Sequence, residues 1–340
     1  MPNNHKHILV IRLSAMGDVA MTVPVLRALV GQHPNLKITV LTKPFFKPFF
    51  RGLLNVSVVT VEVNGEHKGV LGLYNLAQQL NKDNNFYTIA DLHNVLRSKV
   101  LKTFLKGEKV ATIDKGRQEK KDLTQGKIFK PLKTTHQRYA DVFDKLGFPV
   151  DLSAPKFPKK ASLSEGLKKL IDKDNKKLIG VAPFAAHEGK MYPVDLMKQV
   201  IEVLSKDYKI LLFGGGEKEM EGLKTLEDSY KNVINIAGKV SFDEQLDIVS
   251  NLDVMLSMDS GNAHIAAMLG VKVITIWGVT HPYAGFAPFN QPEDYALLSD
   301  RNQFPKIPTS VYGNKCPEDY KEVSRSIAPQ TVIDKIKSII

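Results

Sequence analysis

Short apolar runs of strand length alternate with amphipathic stretches along most of the chain. The first run, His7 to Leu13, predicts a buried strand, and Val19, Val23, Leu26 and Val30 then recur at the spacing of one helix face. This alternation is typical of βα units arranged around parallel sheets, so we predict an α/β protein. Further strands are predicted at residues 37–41, 57–63, 86–90, 109–113, 178–182, 209–213, 233–236, 254–257 and 273–277.

The alternation breaks between residues 150 and 164, where the sequence VDLSAPKFPKKASLS has two prolines and neither a helical nor a strand period. Such a stretch indicates an interdomain linker, and 340 residues are enough for two domains. We therefore predict one α/β domain at 1–155 and a second at 156–326. A last helix at 327–340 can pack back toward the first domain, and the basic stretch 115–133 is predicted to be a long loop.

The charge is unevenly distributed between the two halves. The chain has 47 Lys and Arg against 36 Asp and Glu, a net charge of +11. Residues 1–165 contain 26 basic and 13 acidic side chains, whereas the remainder contains 21 and 23. This asymmetry predicts an acidic partner for the N-terminal half: nucleic acid, an anionic membrane surface or a phosphorylated substrate.

Cysteine and histidine usage narrows the class of protein. Cys316 is the only cysteine, which excludes an intrachain disulfide and fits a reducing compartment, so we predict a cytoplasmic location. Residues 273–292 lack charged side chains, but their prolines and glycines argue against a membrane span. His5 and His7 are expected to be solvated, and no HExxH motif or Cys/His spacing indicates a zinc site.

The first candidate site is the turn Ser14 to Asp18, SAMGD, which follows the first predicted strand. Ligands of parallel α/β domains gather at the carboxyl ends of strands. The turn lacks the GxGxxG pattern of dinucleotide binding. Asp18 then has two interpretations: an acid that complements the helix dipole, or a carboxylate that acts as a general base.

The second candidate site is the segment SMDSGNAH at residues 257–264, between a predicted strand and an apolar helix. The N–H groups at such a helix start favour phosphate binding. Asp259 could accept hydrogen bonds from sugar hydroxyls, and His264 could donate one to a phosphate. The alternative is that Asp259 and Ser260 only cap the helix and that His264 is a core histidine.

Two more loops follow strands of the second half. Residues 181–193 contain Lys190, which could reach a phosphate or could simply be solvated. Residues 213–219, FGGGEKE, place three glycines before Glu217 and Glu219, either of which could accept hydrogen bonds from ribose hydroxyls. Without the Lys-Ser/Thr of a P-loop, the glycines alone are a weak signal.

These segments together resemble one family. ILVIRLSAMGDVAMTVPVLRAL at 8–29 and SMDSGNAHIAAMLGVKVITIWGVTHP at 257–282, with DLHNVLRS at 91–98 and HQRYADVFDKLG at 136–147, are similar to glycosyltransferase family 9, the ADP-heptose:lipopolysaccharide heptosyltransferases. The resemblance implies the GT-B fold, with two Rossmann-like domains facing a central cleft. It also implies an inverting transfer of a heptose or related sugar from an ADP-sugar to a lipopolysaccharide inner-core acceptor, without metal or cofactor.

The resemblance also implies roles for individual residues. Asp18 would be the general base, and Glu217 or Glu219 would contact the nucleoside, with Val240 lining the base pocket. Ala185 and Ala186 stand where many members have hydroxyls, which leaves the sugar and nucleotide open. Donor diphosphate and sugar would be held by Lys190, Asp259, Ser260, Gly261 and His264, and the acceptor by Met16, Gly17, Arg97 and Arg138.

The implied acceptor is an anionic glycolipid, so the basic stretch 97–133 is expected to meet its phosphates or the headgroups of the inner membrane, giving peripheral contact with its cytoplasmic face. A nucleotide-sugar epimerase or hydrolase of the same fold is the alternative enzyme. A nucleic-acid binder is disfavoured, because Phe104 and Phe129 are the only aromatic residues in the basic stretch that could stack on bases.

Overall fold

A computed structural model describes residues 6–171 and 176–340. The chain forms two compact units, one of residues 6–115 and 135–156 and the other of residues 116–134 and 157–340. Each unit contains one parallel sheet with helices, so the predicted α/β class is confirmed. No helix in the described part of the chain combines the length and apolarity needed to cross a membrane.

The first unit is built on five parallel strands in the order β3-β2-β1-β4-β5. β1 is central, and its residues from His7 to Ile11 are buried because neighbours lie on both edges and helices cover both faces. All five strands correspond to predicted ones. They are β1 (Lys6–Ile11), β2 (Leu36–Thr42), β3 (Val56–Thr60), β4 (Thr88–Asp91) and β5 (Lys109–Thr112).

The helix predicted after β1 is divided in two at Met21. Pro24 cannot donate a backbone hydrogen bond, so it is accommodated in the first turn of a new helix rather than inside a continuous one. The helices up to the end of this unit are α1 (Met16–Ala20), α2 (Thr22–Gln32), α3 (Gly69–Asp83), α4 (Leu96–Phe104), α5 (Arg117–Thr124) and α6 (Thr135–Lys145), of which α5 belongs to the second unit.

The second unit has six parallel strands in the order β11-β10-β9-β6-β7-β8. β11 was not predicted, because three residues between loops show no recognisable period. The strands are β6 (Leu178–Ala182), β7 (Lys209–Leu212), β8 (Val233–Asn235), β9 (Val254–Met258), β10 (Lys272–Trp277) and β11 (Ala296–Leu298). Its other helices are α7 (Glu165–Ile171), α8 (Val194–Asp207), α9 (Glu217–Ser229), α10 (Phe242–Ser250), α11 (Gly261–Met268) and α12 (Pro329–Lys337).

The last helix packs within the second unit. Val332, Ile333 and Ile336 of α12 are buried in the same apolar core as Val200 and Leu204 of α8. This placement differs from the expectation that residues 327–340 pack back toward the first domain. The cause is the apolar face of α8, against which the apolar side chains of α12 are buried.

The basic stretch 115–133 was predicted to be a loop of the first domain, and that prediction is wrong. Residues 117–124 form α5, and the stretch packs into the second unit. Leu123 and Leu132 share a small core with Ala284, and the N–H of Leu132 donates to the carbonyl of Tyr283 at 2.9 Å. The sequence pattern did not indicate these two buried leucines, because most of the surrounding residues are charged or polar.

The prediction of a solvated His7 is also wrong, whereas His5 lies outside the described residues. His7 is buried on β1, where its Nε2 lies 2.8 Å from Oγ1 of Thr39. Burial, with a smaller contribution from Lys37, lowers the pKa of His7 to about 4. The imidazole is therefore neutral at pH 7 and belongs to the core of the sheet.

Candidate functional site

Asp18 lies in the first turn of α1, at the carboxyl end of the central strand β1. Its Oδ2 forms an ion pair with Nη2 of Arg12 at 2.6 Å, and the Asp18 side chain remains 28% exposed. The N–H of Ala15 donates to the same oxygen over 3.4 Å. Asp18 is therefore an ion-paired carboxylate at the sheet edge and does more than complement the dipole of α1.

Arg12 was not singled out in the sequence, although it lies in the family-like segment. Its side chain is 6% exposed, and its Nη1 donates to the carbonyl of Leu92 at 2.7 Å. A signal did exist, because a buried cation at the end of an apolar strand requires a partner. The identity of the partner, Asp18, could not be predicted from the sequence, because the pairing depends on the conformation of the turn between the two residues.

Tyr139 of α6 contacts the same turn from the helix side. Its hydroxyl donates to the backbone carbonyl of Asp18 at 3.2 Å, and its side chain is fully buried. Burial raises the pKa of Tyr139, so the hydroxyl stays protonated and remains a donor at any physiological pH. The resemblance of residues 136–147 to the family thus has a physical counterpart in this contact.

The neighbouring strand β4 ends in a buried carboxylate that fixes the following loop. Asp91 accepts hydrogen bonds from the N–H groups of His93 and Asn94 at 2.9 and 2.8 Å, and its other oxygen lies 2.7 Å from Nζ of Lys102. Burial, then Arg12 and Lys115, lowers the pKa of His93 to about 4. The loop leads into α4, which carries Arg97 in its first turn.

The other predicted acceptor residues are less accessible than expected. Met16, Gly17 and Arg97 are half-buried at the carboxyl ends of the adjacent strands β1 and β4. Arg138 is buried on α6, where its Nη1 lies 3.4 Å from the carbonyl and 3.9 Å from the carboxylate of Asp114. Arg138 thus has a protein partner, and its contact with an acceptor stays a prediction.

In the second unit, Lys190 and Asp259 form a mostly buried ion pair. Lys190 Nζ lies 2.7 Å from Asp259 Oδ2, and their side chains are 15% and 6% exposed. Thr280 donates to the same carboxylate oxygen through Oγ1 at 2.9 Å. Loops that follow β6, β9 and β10, three neighbouring strands, therefore meet at Asp259, and Lys190 is not a solvated lysine.

Glycines make room for this ion pair. A Cβ on Gly278 would lie 2.2 Å from the carbonyl oxygen of Gly189, which accepts a hydrogen bond from the N–H of Val279 at 2.8 Å. Gly313 has a φ of +85°, and a Cβ there would lie 2.6 Å from Cγ of Lys190. Close backbone approach and positive φ both require glycine at these positions.

The start of α11 carries the remaining residues of the DSGNAH segment. The Oγ of Ser260 lies 3.0 Å from Oγ of Ser257 and makes no capping bond to α11, and Asp259 is engaged with Lys190. The interpretation of Asp259 and Ser260 as mere helix caps is therefore wrong. His264 is buried one turn into α11, after Gly261 at its first position.

The two glutamates after the triple glycine have different surroundings. Glu219 accepts a hydrogen bond from the N–H of Gly215 at 2.8 Å and braces the glycine loop, whereas Glu217 is exposed at the first position of α9. Val240 is half-buried just before α10. These loops follow β7 and β8, so they lie along the same sheet edge as Lys190 and Asp259.

The loop that carries Lys190 begins with side chains that cannot donate. Ala185 is half-buried and Ala186 is exposed, and neither supplies a hydroxyl. Within residues 6–171 and 176–340, no three His, Cys, Asp or Glu side chains form a cluster able to hold a metal ion. The polar groups nearest this loop are the Lys190–Asp259 pair and Thr280, which contacts the same carboxylate oxygen.

Comparisons with known proteins agree with this arrangement. Residues 73–312 match the family model for glycosyltransferase family 9 (heptosyltransferase). The lipopolysaccharide core heptosyltransferase OpsX of Haemophilus influenzae is 23% identical over 307 residues, which cover 87% of this chain and 86% of that protein.

Two solved structures share the fold along nearly the whole chain. A glycosyl transferase family 9 structure from Veillonella parvula has a TM-score of 0.77 at 19% identity, covering 100% of this chain and 98% of its own. E. coli heptosyltransferase WaaC with ADP has a TM-score of 0.69 at 17% identity, covering 98% and 100%. The fold of this chain thus has counterparts in solved structures.

Proposed function

Since this chain belongs to glycosyltransferase family 9, the heptosyltransferases, and has their GT-B fold, we propose that it transfers a heptose or related sugar from an ADP-sugar to an inner-core acceptor of lipopolysaccharide, with inversion at the anomeric carbon. The observation that carries the proposal is the buried Lys190–Asp259 ion pair beside the start of α11. It combines a cation for a diphosphate with a carboxylate for sugar hydroxyls.

The donor diphosphate is bound in the second unit. Lys190 supplies a point charge, and the first N–H groups of α11 at Ser260 and Gly261 point outward from a helix N-terminus, which favours phosphate. His264 completes the cationic or donor side of this site. Glu217 or Glu219 contacts the ribose, and Val240 lines the base pocket. ADP as the nucleotide is supported by the similarity to E. coli heptosyltransferase WaaC, which was solved with ADP.

The chemical step is a single displacement. Asp18 accepts the proton of an acceptor hydroxyl while that oxygen forms a bond to the anomeric carbon from the face opposite the diphosphate. The bond between the anomeric carbon and the phosphate oxygen breaks, and its electron pair leaves with the nucleoside diphosphate. Lys190 and the α11 N–H groups stabilise the charge that grows there, so the proposal needs no metal ion.

A product assay tests the proposal. The protein is incubated with ADP-heptose and a dephosphorylated or intact inner-core acceptor, and the anomeric configuration of the product is read by NMR. Transfer with inverted configuration is expected. Rapid consumption of ADP-heptose without acceptor would instead indicate a hydrolase or epimerase of the same fold and would contradict the transferase proposal.

A thermal-shift series with ADP-, UDP- and GDP-sugars tests the nucleotide separately. Ala185 and Ala186 supply no hydroxyl to the diphosphate loop, but ADP-, UDP- and GDP-sugars share the diphosphate. We therefore assign discrimination among them to the proposed nucleoside contacts, Glu217 or Glu219 and Val240. The ADP-sugar is expected to raise the melting temperature most. A larger shift with UDP- or GDP-sugars would replace ADP in the proposal.

The acceptor side is proposed to contact the cytoplasmic face of the inner membrane peripherally, with no nucleic-acid partner. The first unit, residues 6–115 and 135–156, has 18 Lys and Arg against 10 Asp and Glu. Binding to vesicles of phosphatidylglycerol should fall steeply with added salt, and vesicles of phosphatidylcholine should bind weakly. Equal binding to both vesicles would contradict this contact.

Replacing exposed lysines shows which unit makes the proposed membrane contact. The triple variant Lys47→Glu, Lys68→Glu and Lys99→Glu in the first unit should lose vesicle binding. The matched control with Lys169→Glu, Lys206→Glu and Lys231→Glu, exposed in the second unit, should keep it. The reverse result would move the contact to the second unit.

A further inference from the structure

A buried arginine next to the proposed base has no role in the transfer as described so far. Arg12 is almost fully buried at the end of β1 and carries a charge in a place where an unpaired cation would be costly. Two groups bind it: the carboxylate of Asp18 lies 2.6 Å from Nη2, and the carbonyl of Leu92 accepts from Nη1 at 2.7 Å. The guanidinium therefore links the turn after β1 to the end of β4.

We propose that Arg12 is a positioning residue that fixes the orientation of the Asp18 carboxylate for proton transfer. The inference rests on the proposed function, in which Asp18 is the base. Arg12 does not touch the acceptor in this account. It holds one carboxylate oxygen so that the other is presented to the acceptor hydroxyl.

The contacts of the carboxylate support this division between its two oxygens. The ion pair with Arg12 and the long hydrogen bond from Ala15 both involve Oδ2. Among the described residues, no hydrogen bond or ion pair to Oδ1 is found, whereas Oδ2 has both. The Asp18 side chain is 28% exposed, and we infer that Oδ1, the oxygen without such a partner, is the one that meets the acceptor hydroxyl. A carboxylate without such an ion pair or hydrogen bond rotates over a broad range about the bond that joins it to the side chain.

Tyr139 restrains the same residue at its backbone. Its hydroxyl donates to the Asp18 carbonyl at 3.2 Å, and the Arg12 guanidinium carbon lies 5.9 Å from the centre of its ring. The carboxylate is thus oriented from β1 and the main chain from α6. Two restraints at different atoms limit both the position of Asp18 and the direction of its carboxylate.

A purely structural role for Arg12 is the competing explanation, because its bond to Leu92 also joins two strands. The two roles differ in what a substitution changes. A structural role predicts lower stability with unchanged turnover in the molecules that remain folded. A positioning role predicts lower kcat with unchanged donor affinity, because the proposed donor residues all lie in the second unit.

The central experiment compares Arg12→Ala, Arg12→Lys and the control Arg27→Met. Misplacing a catalytic group by about 1 Å can cost about 100-fold in rate, so kcat of Arg12→Ala should fall by that order, with the Kd for donor unchanged. Arg12→Lys should recover part of the rate, since it keeps one charged donor. Arg27 is half-buried on α2 and does not contact Asp18, so its variant should keep kcat.

Chemical rescue provides a readout that a structural role would not move. Millimolar guanidinium chloride should raise kcat of Arg12→Ala in a saturable manner, whereas sodium chloride at the same ionic strength should not. If Arg12→Ala fails to fold, Arg12→Lys carries the test of Arg12, and Tyr139→Phe, which removes only one hydroxyl, tests the second restraint. Its kcat should fall about fivefold, the effect of one hydrogen bond.

Asp18→Asn separates failure of this inference from failure of the proposed function. Near-normal turnover of Asp18→Asn would reject Asp18 as the base and the proposed mechanism with it. An inactive Asp18→Asn together with normal kcat in Arg12→Ala, Arg12→Lys and Tyr139→Phe would overturn only the positioning role. If the role holds, adding Arg12→Ala to Asp18→Asn should cause no further loss of kcat.

Discussion

At the scale of single residues, the two carboxylates of the proposed site each have one cationic partner that the sequence alone does not reveal. Asp18, Lys190 and Asp259 could be found from motif resemblance. The pairing of Lys190 with Asp259 could not, because it depends on β6 and β9 being neighbours in the sheet. Arg12 and Thr280 escaped notice because a lone Arg or Thr at a strand end has no period.

The ion pair of Asp18 leads to different outcomes for two substitutions. Asp18→Asn keeps an oxygen that can accept from Arg12, so the protein should fold normally, lose turnover and retain donor affinity in calorimetry. Asp18→Ala leaves a buried guanidinium without its carboxylate and should lower the free energy of unfolding by about 1–3 kcal/mol. Urea unfolding measures this difference, and equal stability of the two variants would contradict it.

The Lys190 ammonium should determine donor affinity. Lys190→Met keeps much of the side-chain volume but removes the charge, so the Kd for the ADP-sugar should rise about 10- to 100-fold, the usual range for a charged hydrogen bond. Calorimetry with Lys206→Met, an exposed lysine on α8, serves as the control. An unchanged Kd in Lys190→Met would remove this residue from the donor site.

At the scale of secondary-structure elements, the sequence predicted long, periodic features well and short or charged ones poorly. Ten of the strands follow from apolar runs, whereas β11 has three residues and α5 is dominated by charge. The division between α1 and α2 depends on Pro24, whose effect was readable but was outweighed by continuous helical spacing. Tertiary contacts determine whether such short or charged segments form strands or helices, and these contacts cannot be predicted from the local sequence pattern.

The packing of α5 into the second unit can be tested through Leu123. This side chain is 1% exposed, so Leu123→Ala should lower the free energy of unfolding by about 2–5 kcal/mol. The amide of Leu132, which bonds to Tyr283, should exchange its hydrogen faster, while amides of β1 and β2 keep their rates. Val110→Ala, at an exposed position of β5, is the control and should change little.

At the scale of the whole molecule, the charge asymmetry survives the reassignment of α5. The first unit has 18 basic and 10 acidic side chains, and the second, residues 116–134 and 157–340, has 29 and 26. Residues 97–133 contain 12 basic and 4 acidic side chains, and this stretch is divided between the units, since residues 97–115 belong to the first and residues 116–133 to the second. Counting charges could find the asymmetry, but only the fold could assign α5.

Three buried histidines make the stability of the molecule depend on pH. Burial is the main cause that lowers the pKa of His7, His93 and His281 to about 4, and an unfolded histidine titrates near 6.5. Between these values the unfolded chain binds more protons, so the free energy of unfolding should fall as the pH drops from 6.5 to 4. Below pH 4 these groups contribute no further change.

Urea unfolding across this pH range measures the effect. His7→Asn and His281→Asn, one in each unit, should each reduce the slope of stability against pH between 6.5 and 4. The control is His33→Asn, at a half-buried histidine outside the sheet core whose Nε2 lies 2.8 Å from the carbonyl of Pro149. Slopes identical to that of the unaltered protein in both core variants would contradict the assignment.

Lys190 and Asp259 neutralise each other within the proposed donor site, so the pair itself has little attraction for the small anions that surround any protein. A phosphate alone would draw Lys190 away and leave the buried Asp259 with only Thr280 as partner. A ligand that offers both a phosphate and a neighbouring hydroxyl satisfies both members at once. For the proposed donor, the ion pair therefore favours binding of a sugar diphosphate over binding of free phosphate.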